Sequence, residues 1–293
     1  MLQPIPSVTP SRLSTGPLLD DLTFYALREF IYERTGIFFP DKKKYLIEGR
    51  LGKRLQILKL ESFEDYIQLL KYGRKKDEEF DYLCEAITIN ETFFFRNEPQ
   101  FDAIEQTVIP ELVRAKQAQL SPKIRIWSAG CSSGEEPYTL AMIFLECLKP
   151  KYPSLSLEIV GTDINGSVLQ IARRAIYSEY SIRNMPQAFL EKYFSVENGR
   201  YVLRPDLKQM VSFRYLNLYD RTQMKTMRNF DIILCRNVLI YFDLKSKIQV
   251  VSDLYGSLNY GGALFIGYSE LLHGISTAFK VKSLVKTTAY KKE

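Results

Sequence analysis

The sequence is poor in the residues from which many metal and nucleophile sites are built. Its 293 residues include one histidine, His273, and four scattered cysteines. A single histidine argues against a histidine-rich metal cluster and against a Ser-His-Asp triad. No cysteine pair has C-x-x-C spacing, so neither a zinc site nor a disulfide framework is indicated. We therefore expect no metal site, and reduced thiols at Cys84, Cys131, Cys147 and Cys235.

Long hydrophobic runs are also missing. No stretch of 18 apolar residues occurs, so no transmembrane helix is expected. Residues 1–16 are rich in proline and lack the apolar core of a secretory signal, which predicts a flexible tail. The hydrophobic content of 46% and charged content of 25% are typical of globular proteins. We expect a soluble, cytoplasmic protein long enough for two domains.

Charge of one sign is concentrated in a single segment. The net charge is +6, and residues 41–60 carry seven basic and two acidic side chains, an excess of five positive charges. Such a run is compatible with a solvated helix face. It is equally compatible with a docking surface for an acidic partner. The mild overall charge does not require nucleic acid as that partner.

Apolar residues recur at helical spacing between residues 17 and 89, which predicts a small all-helical N-terminal domain. Ser62, followed by Asp65, is typical of the start of its third helix. The next stretch, NETFFFR at 90–96, predicts a linker over 90–99. A buried hinge between domains explains its three phenylalanines. Alternatively, the strip delivers polar side chains and one cation into a site.

The stretch from Ile124 to Leu148 predicts a buried strand, a tight glycine loop and a helix. This order opens nucleotide-binding α/β domains. The loop lacks both the Gly-Lys-Ser/Thr of a Walker A motif and the G-x-G-x-x-G pattern. Glu135 and Glu136 would repel a polyphosphate, so a cationic ligand with hydroxyls, such as S-adenosylmethionine, fits better. A plain strand–helix turn with solvated glutamates is the alternative.

Polar side chains follow three further strands of the predicted sheet. Asp163 ends a strand over 157–162, where a carboxylate can receive ribose hydroxyls, although it could also cap the helix predicted over Val168–Tyr177. Because ligands bind at the carboxyl ends of such strands, we expect the later strand-end residues to converge there with Asp163. These residues are Asn217, Arg236, Asn237 and Tyr241. The turn Asn198-Gly199 predicts a hairpin within an insertion at about 179–214.

The motifs together resemble the chemotaxis receptor glutamate methyltransferases, the CheR family. The resemblance rests on stretches that recur in family order from about residue 20 onwards: YLIEGRLGKRL (45–55), NETFFFR (90–96), WSAGCSSGEEPY (127–138), GTDIN (161–165), YLNL (215–218), CRNVLIYF (235–242) and GGALFIGYSE (261–270). It implies a Rossmann-like S-adenosylmethionine-dependent methyltransferase domain over 100–293, with an inserted β-subdomain, behind the helical domain. It implies methyl transfer to glutamate side chains of receptor cytoplasmic helices in sensory adaptation.

The resemblance also implies roles for individual residues. Those implied to contact S-adenosylmethionine, and S-adenosylhomocysteine as its product, are Asn90, Thr92, Arg96, Glu136, Asp163, Asn217, Leu218, Arg236 and Asn237. Arg96 and Tyr241 are the residues implied to lie nearest the transferred methyl group, as catalytic residues. The acidic methylation helices of the receptor would dock on the basic segment 41–60.

Some members also bind a receptor C-terminal pentapeptide through the β-subdomain. The hairpin here is short and lacks a glycine-rich loop, which argues against that tether. Two rival functions stay open at this stage. One is a methyltransferase for RNA or an amine, although no N/D-P-P-Y/F motif follows the fourth strand. The other is a non-catalytic module that binds the cofactor or docks receptors.

Overall fold

The computed structural model describes residues 17–116 and 122–293. The predicted tail, 1–16, lies outside the described residues. The described chain forms two compact units. The first comprises 17–29 and Phe39–Ile87, and the second comprises Phe30–Phe38 and Thr88–Glu293. The domain limits derived from the sequence stay predictions; they are 17–89, 90–99 and 100–293. The structure groups Phe30–Phe38 with the second unit.

The first unit is built from helices, as the apolar spacing predicts. The four helices are α1 (Asp21–Thr35), α2 (Lys44–Leu58), α3 (Phe63–Tyr72) and α4 (Lys76–Ile87). The last residues of α1 belong to the second unit. The predicted start of α3 is confirmed, because the Ser62 hydroxyl accepts a hydrogen bond from the Asp65 N–H at 3.1 Å. Leu51, Leu55 and Leu83 are fully buried in this unit.

The second unit contains one large sheet and one small one. The strands are β1 (Lys123–Ala129), β2 (Ser156–Asp163), β3 (Ile176–Tyr177), β4 (Phe194–Glu197), β5 (Arg200–Leu203), β6 (Val211–Tyr215), β7 (Phe230–Cys235), β8 (Leu258–Ile266), β9 (Lys280–Leu284) and β10 (Thr287–Lys291). The large sheet has the order β6-β2-β1-β7-β8-β10-β9. Its first five strands are parallel, and β10 pairs antiparallel with both β8 and β9. The strand order reverses at β1, where open α/β sheets bind ligands.

Helices connect the strands and cover the large sheet. They are α5 (Glu98–Ala103), α6 (Ile109–Ala115), α7 (Glu135–Ile143), α8 (Gly166–Arg174), α9 (Glu179–Ile182), α10 (Gln187–Tyr193), α11 (Pro205–Gln209), α12 (Arg221–Met224) and α13 (Leu244–Ser257), with π-helical turns at Ile104–Val108 and Phe144–Leu148. The central strand β7 is buried along its whole length. No helix among the described residues is long and apolar enough to cross a membrane. The mixed α/β class predicted from the sequence is therefore confirmed.

The predicted helix over Val168–Tyr177 is wrong at its end. The helix α8 stops at Arg174 because Ala175 takes a left-handed conformation with φ of 54°. The chain then forms the short strand β3, which pairs antiparallel with β5. The inserted sheet thus has three strands, β3-β5-β4, and not only the predicted hairpin of β4 and β5.

Candidate active site

A cavity lies at the carboxyl ends of the parallel strands. It encloses about 1200 Å³, part of it open solvent, and every residue that lines it belongs to the second unit. The ten residues singled out from the sequence all line it: Asn90, Thr92, Arg96, Glu136, Asp163, Asn217, Leu218, Arg236, Asn237 and Tyr241. The predicted convergence is confirmed. Their roles toward a cofactor stay predictions.

The glycine loop between β1 and α7 forms one wall. Gly130 has φ of 77°, and a Cβ built there would lie 2.4 Å from a methyl group of Val238. Gly134, with φ of 92°, would clash in the same way with Ala172. These positions combine left-handed backbone with close packing, so only glycine fits them without strain. The loop is held to β2, since the Gly130 N–H donates to the Thr162 carbonyl at 2.8 Å.

Asp163 stands at the end of β2 and is largely buried. One carboxylate oxygen accepts from the Ser132 N–H and the other from the Asn165 N–H, each at 2.9 Å. Burial raises the pKa of Asp163, and the two N–H donors oppose that shift. Asp163 does not cap α8, because the Asn165 side chain accepts from the first N–H groups of that helix. The lone pairs that these two hydrogen bonds leave over remain available to accept hydrogen bonds from a ligand.

Glu136 and Arg236 form an ion pair in the cavity wall. The Arg236 Nη1 lies 2.8 Å from Glu136 Oε2, and the Ser128 hydroxyl donates to Glu136 Oε1 at 2.6 Å. Arg236 also donates to the Arg96 carbonyl. Burial lowers the pKa of Arg236, which the Glu136 carboxylate opposes. Arg236 therefore fixes both a carboxylate of the cavity and the backbone of the linker.

Glu135, the other acidic residue of the loop, is not part of the lining. It is almost completely buried and accepts a hydrogen bond from the Ser133 hydroxyl at 2.7 Å. Burial raises its pKa. A repulsion of polyphosphates by Glu135 at the cavity surface, as the sequence suggests, is therefore not supported.

The linker residues are anchored by aromatic side chains. Phe94 is fully buried, with its ring centroid 4.9 Å from that of Tyr177 and 5.3 Å from that of Phe194. Arg96 lines the cavity and donates to the Glu91 carbonyl at 2.6 Å. Phe94 thus holds the linker against the inserted sheet, while Arg96 of the same linker lines the cavity.

A second contact joins the linker to the insertion. The Arg183 guanidinium lies 3.5 Å from the ring centroid of Phe93 and 3.6 Å from that of Tyr180. The Tyr180 hydroxyl donates to the Glu91 carboxylate at 2.9 Å, and Arg183 lies 3.7 Å from the same carboxylate. Glu91 and Phe93 line the cavity, so the inserted segment buttresses one of its walls.

The strand-end asparagines also carry structural bonds. The Asn217 amide donates to the Arg34 carbonyl at 2.6 Å, and its oxygen accepts from the Tyr219 N–H at 3.0 Å. Asn237 has φ of 60°, a left-handed conformation that is uncommon outside glycine. The Tyr241 hydroxyl reaches the Ile89 carbonyl at 3.3 Å. It therefore stands beside the linker at the cavity wall.

Sequence reasoning missed a further part of the lining. Thr35, the last residue of α1, and Ile37, just beyond it, line the cavity, and Ile37 makes an antiparallel bridge with Phe242. Gly36 between them has φ of 70°, and a Cβ there would lie 2.5 Å from the Tyr219 ring. A glycine just beyond a helix is a common stop signal. Nothing local shows that the chain after it returns to the site.

Among the described residues, no group of side chains in this cavity is arranged to bind a metal ion. Across 17–116 and 122–293, no group of three or more His, Cys, Asp or Glu side chains is placed to hold a metal ion. The four cysteines are free thiols, three of them buried. The lining instead presents three acidic residues, Glu91, Glu136 and Asp163, and two guanidinium groups, those of Arg96 and Arg236. Such a set can bind a ligand that carries an ammonium group, hydroxyls and a carboxylate.

Two family models match the chain. The model described as CheR methyltransferase, SAM binding domain, matches residues 90–288, and the CheR methyltransferase all-alpha domain matches 22–88. The chain is 39% identical over 276 residues to chemotaxis protein methyltransferase 2 of Vibrio cholerae serotype O1, covering 94% of each chain. It is 37% identical to a chemotaxis protein methyltransferase of Borreliella burgdorferi, covering 85% of this chain and 87% of the relative. It is 35% identical to chemotaxis protein methyltransferase 1 of Pseudomonas aeruginosa, covering 88% and 93%.

Proposed function

The chain belongs to the CheR methyltransferase family, and from this premise we propose that it methylates glutamate side chains of chemoreceptor cytoplasmic helices. It is an S-adenosylmethionine-dependent methyltransferase, and the product here would be a glutamate methyl ester in sensory adaptation. The observation that carries the proposal is the cavity itself. It brings Glu136, Asp163, Arg96 and Tyr241 together at the switch point of a parallel sheet.

The donor set of the cavity fits S-adenosylmethionine. Asp163 would receive the ribose hydroxyls with the lone pairs that its backbone bonds leave over. Glu136 would face the ammonium group of the amino-acid end. The further proposed contacts are Asn90, Thr92, Arg96, Asn217, Leu218, Arg236 and Asn237. When bound, S-adenosylmethionine supplies a methyl group on a positively charged sulfur.

The proposed acceptor needs no general base from the protein. A glutamate carboxyl has an ordinary pKa of about 4.3 and is ionised near neutral pH. The work of the chain is then to orient the carboxylate and to keep water out, since opposite charges cancel as the methyl group moves. Orientation can contribute up to about 7–11 kcal/mol in favourable cases. Arg96 and Tyr241 are the groups we propose to hold the acceptor carboxylate.

The decisive experiment is methyl transfer from labelled S-adenosylmethionine to a receptor cytoplasmic fragment, followed by mild alkali. Release of the label as volatile methanol is expected, because a carboxyl methyl ester is alkali-labile. A label that survives alkali would indicate an N-methyl or similar product and would contradict the glutamate assignment. Tight cofactor binding without transfer to any receptor fragment would favour a binding module.

We further propose that the receptor docks on the basic segment 41–60. Three of its seven cations are engaged inside the first unit: Lys44 pairs with Asp21, Arg50 donates to the Ile87 carbonyl, and Arg54 pairs with Glu79. The exposed members that make no ion pair with any described residue are Lys42, Lys43, Lys53 and Lys59. These four remain to attract the glutamate-rich methylation helices of a receptor.

The test is reversal of Lys42, Lys43 and Lys53 to Glu, compared with Lys71→Glu on an exposed site of α3. We expect the triple variant to raise KM for the receptor, most strongly at low ionic strength, with unchanged cofactor affinity. Arg54 is left intact because its reversal would set a glutamate against the buried Glu79. A triple variant with the KM of Lys71→Glu would refute the docking surface.

Capture through a receptor pentapeptide is not part of this proposal. The turn between β4 and β5 consists of Asn198 and Gly199, both with positive φ, and leaves no glycine-rich loop. We expect a receptor fragment to be methylated at the same rate with and without its five C-terminal residues. A clear rate loss on their removal would establish the tether.

A further inference from the structure

Glu270 is a buried carboxylate that does not line the cavity, yet it is bonded to a cavity wall. It follows β8 and is 8% exposed. Its Oε2 accepts from the N–H groups of Asn237 at 3.0 Å and Gly267 at 2.5 Å. Its Oε1 accepts from the Ile240 N–H at 3.1 Å. One side chain thus accepts from three backbone N–H groups in the segments that follow β7 and β8.

The loop that Glu270 holds is the one after β7, residues 236–241. It carries Arg236, Asn237 and Tyr241 into the cavity. Asn237 sits in a left-handed conformation, which a non-glycine residue keeps only when its surroundings enforce it. Charge-assisted bonds on the N–H groups of Asn237 and Ile240 supply that enforcement.

The packing around this loop leaves it little freedom on either side. A Cβ added to Gly267 would lie 2.6 Å from Glu270 Oε2 and 2.9 Å from the Asn237 nitrogen. The glycine therefore lets the end of β8 approach the loop closely enough for the carboxylate to bridge them. On the opposite side, Val238 packs directly on Gly130 of the glycine loop between β1 and α7. A shift of the loop after β7 would be transmitted to that wall as well.

We propose that Glu270 is a positioning residue for methyl transfer. It fixes the backbone of the 236–241 loop, and through it sets where Arg236 and Tyr241 stand toward cofactor and acceptor. This inference rests on the proposed function. It assigns to Glu270 no contact with substrate.

The test is Glu270→Gln, with Asp231→Asn as a matched control. Glutamine offers one oxygen, and its amide NH₂ would face a backbone N–H. Asp231 is also a buried carboxylate of the β7 region, but it accepts from the Arg125 N–H and from Asn259 near the other end of the strand. Both variants should unfold at lower temperature. Only Glu270→Gln should lower kcat, by about 10- to 100-fold, with a smaller change in cofactor Kd.

A second readout does not depend on activity. Amide hydrogen exchange of the 236–241 segment, measured without cofactor, should be faster in Glu270→Gln and unchanged in Asp231→Asn. Gly267→Ala perturbs the same contact from the other side, and should reproduce both the faster exchange and the lower kcat if Glu270→Gln does not fold. Wild-type kcat and wild-type exchange in either variant of the contact would overturn the inference. Failure of the wild type to form an alkali-labile ester would refute the proposed function, while the exchange result would still report on Glu270.

Discussion

Replacing Asp163 by alanine tests the proposed ribose site most directly. The carboxylate lies at the end of β2, and its two oxygens already accept from the Ser132 and Asn165 N–H groups. Those two bonds are present with and without cofactor, so their loss largely cancels in a binding measurement. The change in cofactor affinity then reflects the loss of two hydrogen bonds from the ribose hydroxyls to the charged carboxylate. Each of these bonds contributes about 1.5–3 kcal/mol.

Two such bonds make a loss of about 3–6 kcal/mol, which corresponds to a cofactor Kd raised by roughly 100- to 10,000-fold. Isothermal titration calorimetry with S-adenosylhomocysteine measures it without turnover. Glu158→Gln is the matched control, because Glu158 lies near the start of the same strand and pairs with Arg125 away from the cavity. Its Kd should equal that of the wild type.

Lowering the pH should weaken cofactor binding to the wild-type protein, as the Asp163→Ala change does. Burial raises the pKa of Asp163, so its carboxylate takes up a proton at a higher pH than an ordinary aspartate. Cofactor affinity should therefore begin to fall above the usual aspartate range, and Asp163→Ala should lack that step. An Asp163→Ala variant that binds within about threefold of wild type, well short of even one charged hydrogen bond, would refute the ribose role.

Three further predictions concern one side chain and two ion pairs. Tyr241→Phe should lower kcat more than it changes cofactor Kd, because the hydroxyl is proposed to hold the acceptor; a wild-type kcat would remove Tyr241 from the chemistry. The Arg125 guanidinium, with a neighbouring lysine, lowers the pKa of Glu158 to about 2, so this ion pair stabilises the fold above the unfolded pKa of about 4.3. The urea midpoints of wild type and Glu158→Gln should differ at pH 7 and converge as the pH falls from 4 towards 2; a pH-independent difference would contradict this. Arg236→Met should destabilise the fold by about 3–5 kcal/mol, since Glu136 loses its buried partner. Adding Glu136→Gln should recover part of that loss in chemical denaturation, whereas simple additivity of the two changes would show that the pair is not coupled.

The position of the site was predictable because one rule of topology governs it. Parallel strands bring their carboxyl ends to one edge, so Asp163, Arg236 and Asn237 could be placed together from strand order alone. The structure brings those strand ends to one cavity. The roles of the individual residues are a different matter, because they depend on a ligand that no strand pattern describes.

What the sequence could not show are contacts between distant segments. Asn217 donates to the carbonyl of Arg34, 183 residues away, and neither residue carries a local signal of the other. A count of charges also could not show which cations of the basic segment are already paired. Such a count treats Arg54 as a free cation, although its guanidinium is paired with Glu79 inside the helical unit. The end of α8 at Arg174 was not predicted, because the residue that follows it, Ala175, is of a type that does not normally stop a helix.

The return of residues 30–38 to the second unit has a consequence for how this fold can be divided. The methyltransferase unit is not a continuous piece of chain, since Thr35 and Ile37 line its cavity and the Arg34 carbonyl holds Asn217. A gene fragment that starts at residue 88 would therefore encode an incomplete cavity, with the bridge from Ile37 to Phe242 lost. A chimera of two relatives would have to take residues 30–38 and the chain from residue 88 onwards from the same protein. A complete cavity therefore requires residues 30–38 as well as the chain from residue 88 onwards.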